Sequence, residues 1–151
     1  MPQEEKQLLI KDLCARLPYG VICRLSAKDA DTSITEKLEL GGLEHFISGT
    51  IDVKPYLRPL SSITREEELY IKLNLGFYLH DGVFDNVDIF TTSGIYDRDG
   101  NYYPPEKCRC VVQITIYKVL EFLHYLHSHH FDYRGLIEKG LALEATEGMY
   151  D

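Results

Sequence analysis

Residues 129–145 read His129-His130-Phe131-Asp132-Tyr133-Arg134-Gly135-Leu136-Ile137-Glu138-Lys139-Gly140-Leu141-Ala142-Leu143-Glu144-Ala145. A helical pattern runs into this stretch and halts there. Val119, Leu120, Leu123 and Leu126 suit a helix, and no breaker lies between Cys110 and His130. Gly135 and Gly140 then punctuate a compact apolar tail. The pattern predicts a helix over about residues 114–130. Its start is ambiguous, because Val112, Ile114 and Ile116 alternate with Gln113 and Thr115 as a strand would.

Working outward, residues 5–16 predict a second helix. Leu8, Leu9, Asp12, Leu13 and Arg16 sort into apolar and polar faces, and Pro18 and Gly20 stop it. The short apolar run Val21-Ile22-Cys23-Arg24-Leu25 reads as a strand. A polar turn over residues 28–33 follows. Ile34, Glu36, Leu38 and Leu40 read as a second strand ended by Gly41-Gly42, and residues 46–53 as a third. Lys54-Pro55-Tyr56-Leu57-Arg58-Pro59-Leu60-Ser61-Ser62 reads as a rigid loop, since its prolines fix φ and restrict the residues before them. Thr64-Arg65-Glu66-Glu67 carries the spacing of a capping box, opening a helix that ends near Leu75-Gly76. Residues 87–90 and 94–96 read as short strands, and Asp97-Arg98-Asp99-Gly100-Asn101 as a hairpin tip. Helices and strands do not alternate regularly. The expected fold is therefore α+β, one small domain over residues 1–151 with a mainly antiparallel sheet and about three helices.

Composition bounds function. The chain has 151 residues, is 44% hydrophobic and carries a net charge of −8. That size and apolar content suffice for a core without staples. The acidity argues against direct nucleic-acid binding, which normally needs a basic patch. Four cysteines are too sparse for a disulfide scaffold. The polar opening Met-Pro-Gln-Glu-Glu-Lys lacks the apolar segment of a signal peptide, and no apolar run reaches membrane-spanning length. A cytoplasmic setting away from membranes is expected.

Several constellations have to be weighed. Cys108, Cys110, His127 and His130 supply the ligand types zinc favours. Their spacing is poor, and histidines at a helix C-terminus are equally explained as a cap favoured by the helix dipole. Asp97-x-Asp99-Gly100 starts like a calcium loop, but the glycine comes too early and no glutamate stands at the twelfth position. Asp81, Asp85 and Asp88 read as a solvated loop cluster, and Cys14 and Cys23 as core residues. No nucleophile elbow, phosphate loop or dinucleotide fingerprint occurs. No catalytic residue and no cofactor are expected.

Three segments share one physical theme. They are Lys11-Asp12-Leu13-Cys14-Ala15-Arg16-Leu17-Pro18-Tyr19-Gly20-Val21, then residues 54–62, then His130-Phe131-Asp132-Tyr133-Arg134-Gly135-Leu136-Ile137 with Gly140-Leu141-Ala142. Each is a turn or helix exit with Tyr and Arg close together. Tyr19, Tyr56, Arg58, Tyr133 and Arg134 are thus expected to meet as one interaction surface. The competing expectation is three connectors that merely lock the fold. These segments resemble a group of small uncharacterised proteins of gut Bacteroidetes and their phages or mobile elements. The resemblance covers about a third of the chain, leaves residues 77–112 unplaced and carries over no catalytic residue. It implies a cytoplasmic bacterial or phage protein.

The functional expectation is a non-enzymatic interaction or accessory protein with an unidentified protein partner. The alternatives are a metal-binding protein using Cys108, Cys110, His127 and His130, and an acidic decoy for a basic, nucleic-acid-binding protein. Chelation should destabilise the first, and salt should release the partner of the second.

Overall fold

The N-terminal helical pattern becomes α1 (Gln3–Arg16) in the computed structural model, which describes residues 1–80, 83–86, 95–96, 99–104 and 116–151. Glu4 and Glu5 in its first turn and Arg16 in its last both suit the helix dipole. Pro18 opens a single 3₁₀ turn, Leu17–Tyr19, and Gly20 closes it at φ +72°. Only glycine adopts that φ without cost.

The chain then forms a hairpin of β1 (Ile22–Ala27) and β2 (Ser33–Lys37). Helix α2 (Leu40–Ser48) leads into β3 (Ile51–Leu57), and β8 (Leu143–Glu144) adds from the C-terminal tail. The sheet order is β2-β1-β3-β8, antiparallel except for the final pair. This is the expected α+β fold with a mainly antiparallel sheet, and the described residues hold four α-helices rather than about three.

Three local expectations are corrected. Gly41 and Gly42 do not end a strand but lie inside α2. Burying Leu43 and Phe46 outweighs the roughly 1 kcal/mol that each helical glycine costs. The third strand begins at Ile51 rather than residue 46, because α2 runs on to Gly49, which caps it at φ +84°. Lys54-Pro55-Tyr56-Leu57 is the second half of β3, not a loop. Pro55 shares a strand edge with Leu57, whose carbonyl accepts from Ala145 N on the β8 side. Pairing on that edge starts only at Tyr56, so the missing N–H of Pro55 breaks no ladder bond there.

The chain divides into two compact units, Met1–Leu60 with Leu126–Asp151, and Ser61–Tyr125. In the first, one sheet face buries Cys23, Val53 and Leu57 against Leu9 and Leu13 of α1, Leu43 and Phe46 of α2, and Leu136, Leu141 and Ala142 of the tail.

The second unit begins with α3 (Arg65–Tyr70), capped by Thr64 and Glu67 as its spacing predicts. It widens into a π turn, Ile71–Leu75, that ends at Gly76 in the left-handed region. Two hairpins follow, β4 (Phe77–His80) with β5 (Val83–Asn86) and β6 (Ile95–Tyr96) with β7 (Tyr102–Tyr103). Gly100, at φ +81°, lies in the connection between β6 and β7, where a hairpin tip is expected. The expected strand over 87–90 and the residues Asp81, Asp88, Cys108 and Cys110 lie outside the described residues.

Helix α4 (Ile116–Ser128) matches the helix expected from residue 114. Phe77 stacks on Phe122 at 4.1 Å within the second unit. The helix exit is made by His130 at φ +57°. His130 N donates to His127 O, and Phe131 N donates to Leu126 O. That pair of bonds is a Schellman closure with histidine where glycine is usual.

Candidate interaction site

Asp12 and Arg16 lie one helical turn apart on the same stripe of α1 as Leu9 and Leu13. Both are fully buried, although sequence patterning assigns them to the polar face. Arg16 Nε donates to Asp12 Oδ2 at 2.7 Å and Arg16 Nη2 to Asp12 Oδ1 at 3.2 Å. Such a bidentate pair is the geometry in which a guanidinium survives burial. Arg16 Nη2 also donates to the carbonyl of Phe131 at 2.8 Å. That bond ties the first of the three Tyr/Arg segments to the third.

The second segment joins through backbone. Arg58 N donates to His130 O and Asp132 N donates to Arg58 O, each at 2.8 Å, bracketing Phe131 as one parallel bridge. The Arg58 guanidinium sits 4.2 Å from the Phe131 ring centroid. Tyr150 completes the join. Its hydroxyl donates to Tyr56 O at 2.6 Å and accepts from Ile22 N at 3.1 Å. The hydroxyl therefore stands between β1 and β3 just past their last paired residues. The Tyr150 ring stacks on His130 at 3.7 Å. His130 in turn hydrogen-bonds the backbone of Tyr19.

The segment after Phe131 is held by its own carboxylate. Asp132 Oδ1 and Oδ2 accept from Leu136 N and Ile137 N, both at 2.8 Å. Tyr133 then presents its ring to two guanidiniums, Arg134 at 4.9 Å and Arg16 at 5.8 Å. Its hydroxyl lies 2.8 Å from His127 Nε2. Arg134 Nε lies 3.2 Å from Asp12 Oδ1. Tyr19, Tyr56, Arg58, Tyr133 and Arg134 are all half-buried; Tyr133 and Arg134 border the buried Asp12–Arg16 pair, and Arg58 lies over Phe131.

Burial sets the protonation of the interior. His130 is pushed down to about 4, first by loss of solvent and then by the facing charge of Arg16, with Arg58 and His129 adding to it. It is therefore neutral near pH 7, not the dipole-stabilised imidazolium that a helix C-terminus suggests. Burial pushes the Cys23 thiol up to about 12 and the Tyr150 phenol to about 12, and it raises Tyr133. Cys14, expected in the core, is exposed instead, because it sits off the Leu9-Leu13 stripe of α1.

The histidines of the metal expectation are also placed. His127 and His130 are both buried, and His130 Nδ1 has no hydrogen-bond partner. Among the described residues, no three His, Cys, Asp or Glu residues are grouped to hold a metal ion. Among them, too, no helix is long and apolar enough to cross a membrane. Sequence reasoning missed Asp12, Arg16 and Tyr150 as site members, and took His130 only as a metal-ligand candidate. The Asp-x-x-x-Arg spacing of α1 was a usable signal for the first two. Nothing local marks Tyr150.

No known protein family, curated protein or solved structure matches the chain.

Proposed function

We propose that the protein is a non-enzymatic interaction protein, an accessory factor whose contact surface is the rim formed by Tyr19, Tyr56, Arg58, Tyr133 and Arg134. The observation that carries this reading is the fixing of Arg58 and Arg134 against aromatic rings by segments from three distant parts of the chain. Tyr and Arg are the residue types that dominate binding hot spots. A guanidinium already held in place loses less side-chain freedom when a partner arrives. The interior supports the same reading. Neutral His130 and protonated Cys23 are poorly suited to acid–base or nucleophilic work at neutral pH.

The test replaces Tyr56 by a photocrosslinking amino acid in host cells. Tyr56 is chosen because its carbonyl, not its side chain, serves the network. One predominant protein adduct, diminished by Arg134→Gln, is expected. Adduct formation indifferent to Arg134→Gln and Arg58→Gln would count against the rim.

A further inference from the structure

The sheet has a second face. Residues paired across a ladder share a face, and successive residues alternate between faces. Cys23, Val53, Pro55 and Leu57 point to the core and are buried. The opposite face therefore carries Ile22, Arg24 and Ser26 of β1, Asp52, Lys54 and Tyr56 of β3, and Ser33, Thr35 and Lys37 of β2. Arg58 continues the Lys54–Tyr56 alternation just beyond β3.

Two features of this face are unusual. Arg24 and Lys54 are direct Cα partners in the β1–β3 ladder, an arrangement in which like charges repel. Lys37 faces Ile22, diagonal to Arg24. Among the described residues, Arg24, Lys37 and Lys54 make no side-chain hydrogen bond or ion pair. Asp52 is the one carboxylate among the ladder residues of this face. The chain has 24 acidic residues against 16 basic ones, so carboxylates are plentiful, yet these cations are left unmatched and crowded together. A face that opposes two cations directly, with one carboxylate beside them and no ion pair made among the described residues, is suited to something acidic that binds there.

We infer that this face binds an extended acidic segment of a partner protein, with Arg24, Lys37 and Lys54 taking its carboxylates and Tyr56 lying beside them. The inference rests on the interaction reading above and names its partner chemistry. Alternate residues of β3 stand about 7 Å apart, the spacing of alternate side chains in an extended peptide. An acidic strand laid along β3 thus meets Lys54 and Tyr56 in step, with Arg24 beside Lys54 on β1. A nucleic acid fits less well. Single-strand binding uses several stacking aromatics where this face offers Tyr56.

The test is fluorescence anisotropy of a labelled short peptide of alternating Glu and Ser, titrated with the full chain at low salt. Saturable binding is expected. It should weaken by at least about tenfold in the Arg24→Glu/Lys54→Glu variant and on raising the salt several-fold. Lys11→Glu, at an exposed position of α1, should leave it unchanged. The milder Arg24→Gln/Lys54→Gln variant, checked for a melting temperature no lower than that of the parent, guards against a folding artefact. Binding of an oligothymidylate in place of the peptide would overturn the inference, as would peptide binding insensitive to both double variants. No peptide binding alongside a Tyr56 crosslink would sink this inference and leave the interaction reading standing. Absence of both would sink both.

Discussion

Arg16 donates from Nη2 to the carbonyl of Phe131, 115 residues away in sequence, while Nε and Nη2 hold Asp12 on the same helix. A side chain with no solvent exposure thus fixes where the exit of α4 meets the end of α1. Removing Asp12 would leave that guanidinium buried and uncompensated. Asp12→Ala should cost about 3–5 kcal/mol, measured by denaturant unfolding. Replacing both residues by apolar ones, Asp12→Leu with Arg16→Met, should cost less, because the fully buried guanidinium leaves with its carboxylate and only the partly exposed Arg134 loses its partner.

His130 makes stability fall in mild acid. Its folded pKa lies near 4, below the ordinary 6.5, so the unfolded chain takes up a proton at a pH where the folded one does not. The stability this difference represents is present above about pH 6.5 and is lost as pH falls toward 4. The total is about 3 kcal/mol. Urea midpoints measured across that window should drop, and His130→Gln should flatten the part of the drop due to this residue.

Tyr150 acts through its hydroxyl rather than its ring alone. Tyr150→Phe keeps the stack on His130 but removes the link between Ile22 N and Tyr56 O. A loss of about 1–3 kcal/mol is expected, with faster hydrogen exchange at the Ile22 amide.

The two described cysteines should differ in reactivity. Cys14 is exposed, whereas Cys23 is buried with its thiol held protonated. Brief alkylation of the native protein near pH 8, read by peptide mapping, should modify Cys14 and spare Cys23 until the chain is unfolded.

Lifting the repulsion across β1 and β3 should stabilise the free protein. Arg24→Gln or Lys54→Gln alone is expected to raise stability by about 0.2–1 kcal/mol, seen as a higher melting temperature. A loss of stability would mean that the opposed cations serve the fold.

Elements marked by strong local chemistry were legible in the sequence. The Thr64–Glu67 box, the Pro18-Gly20 stop and the turn before β2 all depend on nearby residues. The errors came where distant contacts decide. Gly41-Gly42 looks like a break, yet Leu43 and Phe46 draw that segment into a helix by burial. Pro55 looks like a loop residue, yet its position opposite Cys23 and ahead of β8 makes a strand tolerable. The repeated Tyr/Arg pairing of the three segments could be read directly. The buried ion pair beneath them could not, because an Asp and an Arg on a helix read first as solvent-facing. The opposed Arg24 and Lys54 become visible only once strand register is known.

The most direct measurement is photocrosslinking from position 56 in host cells, with and without Arg134→Gln. The account predicts one predominant adduct that weakens when Arg134 is altered. A chain that yields no adduct, while remaining folded and expressed at its normal level, would contradict it.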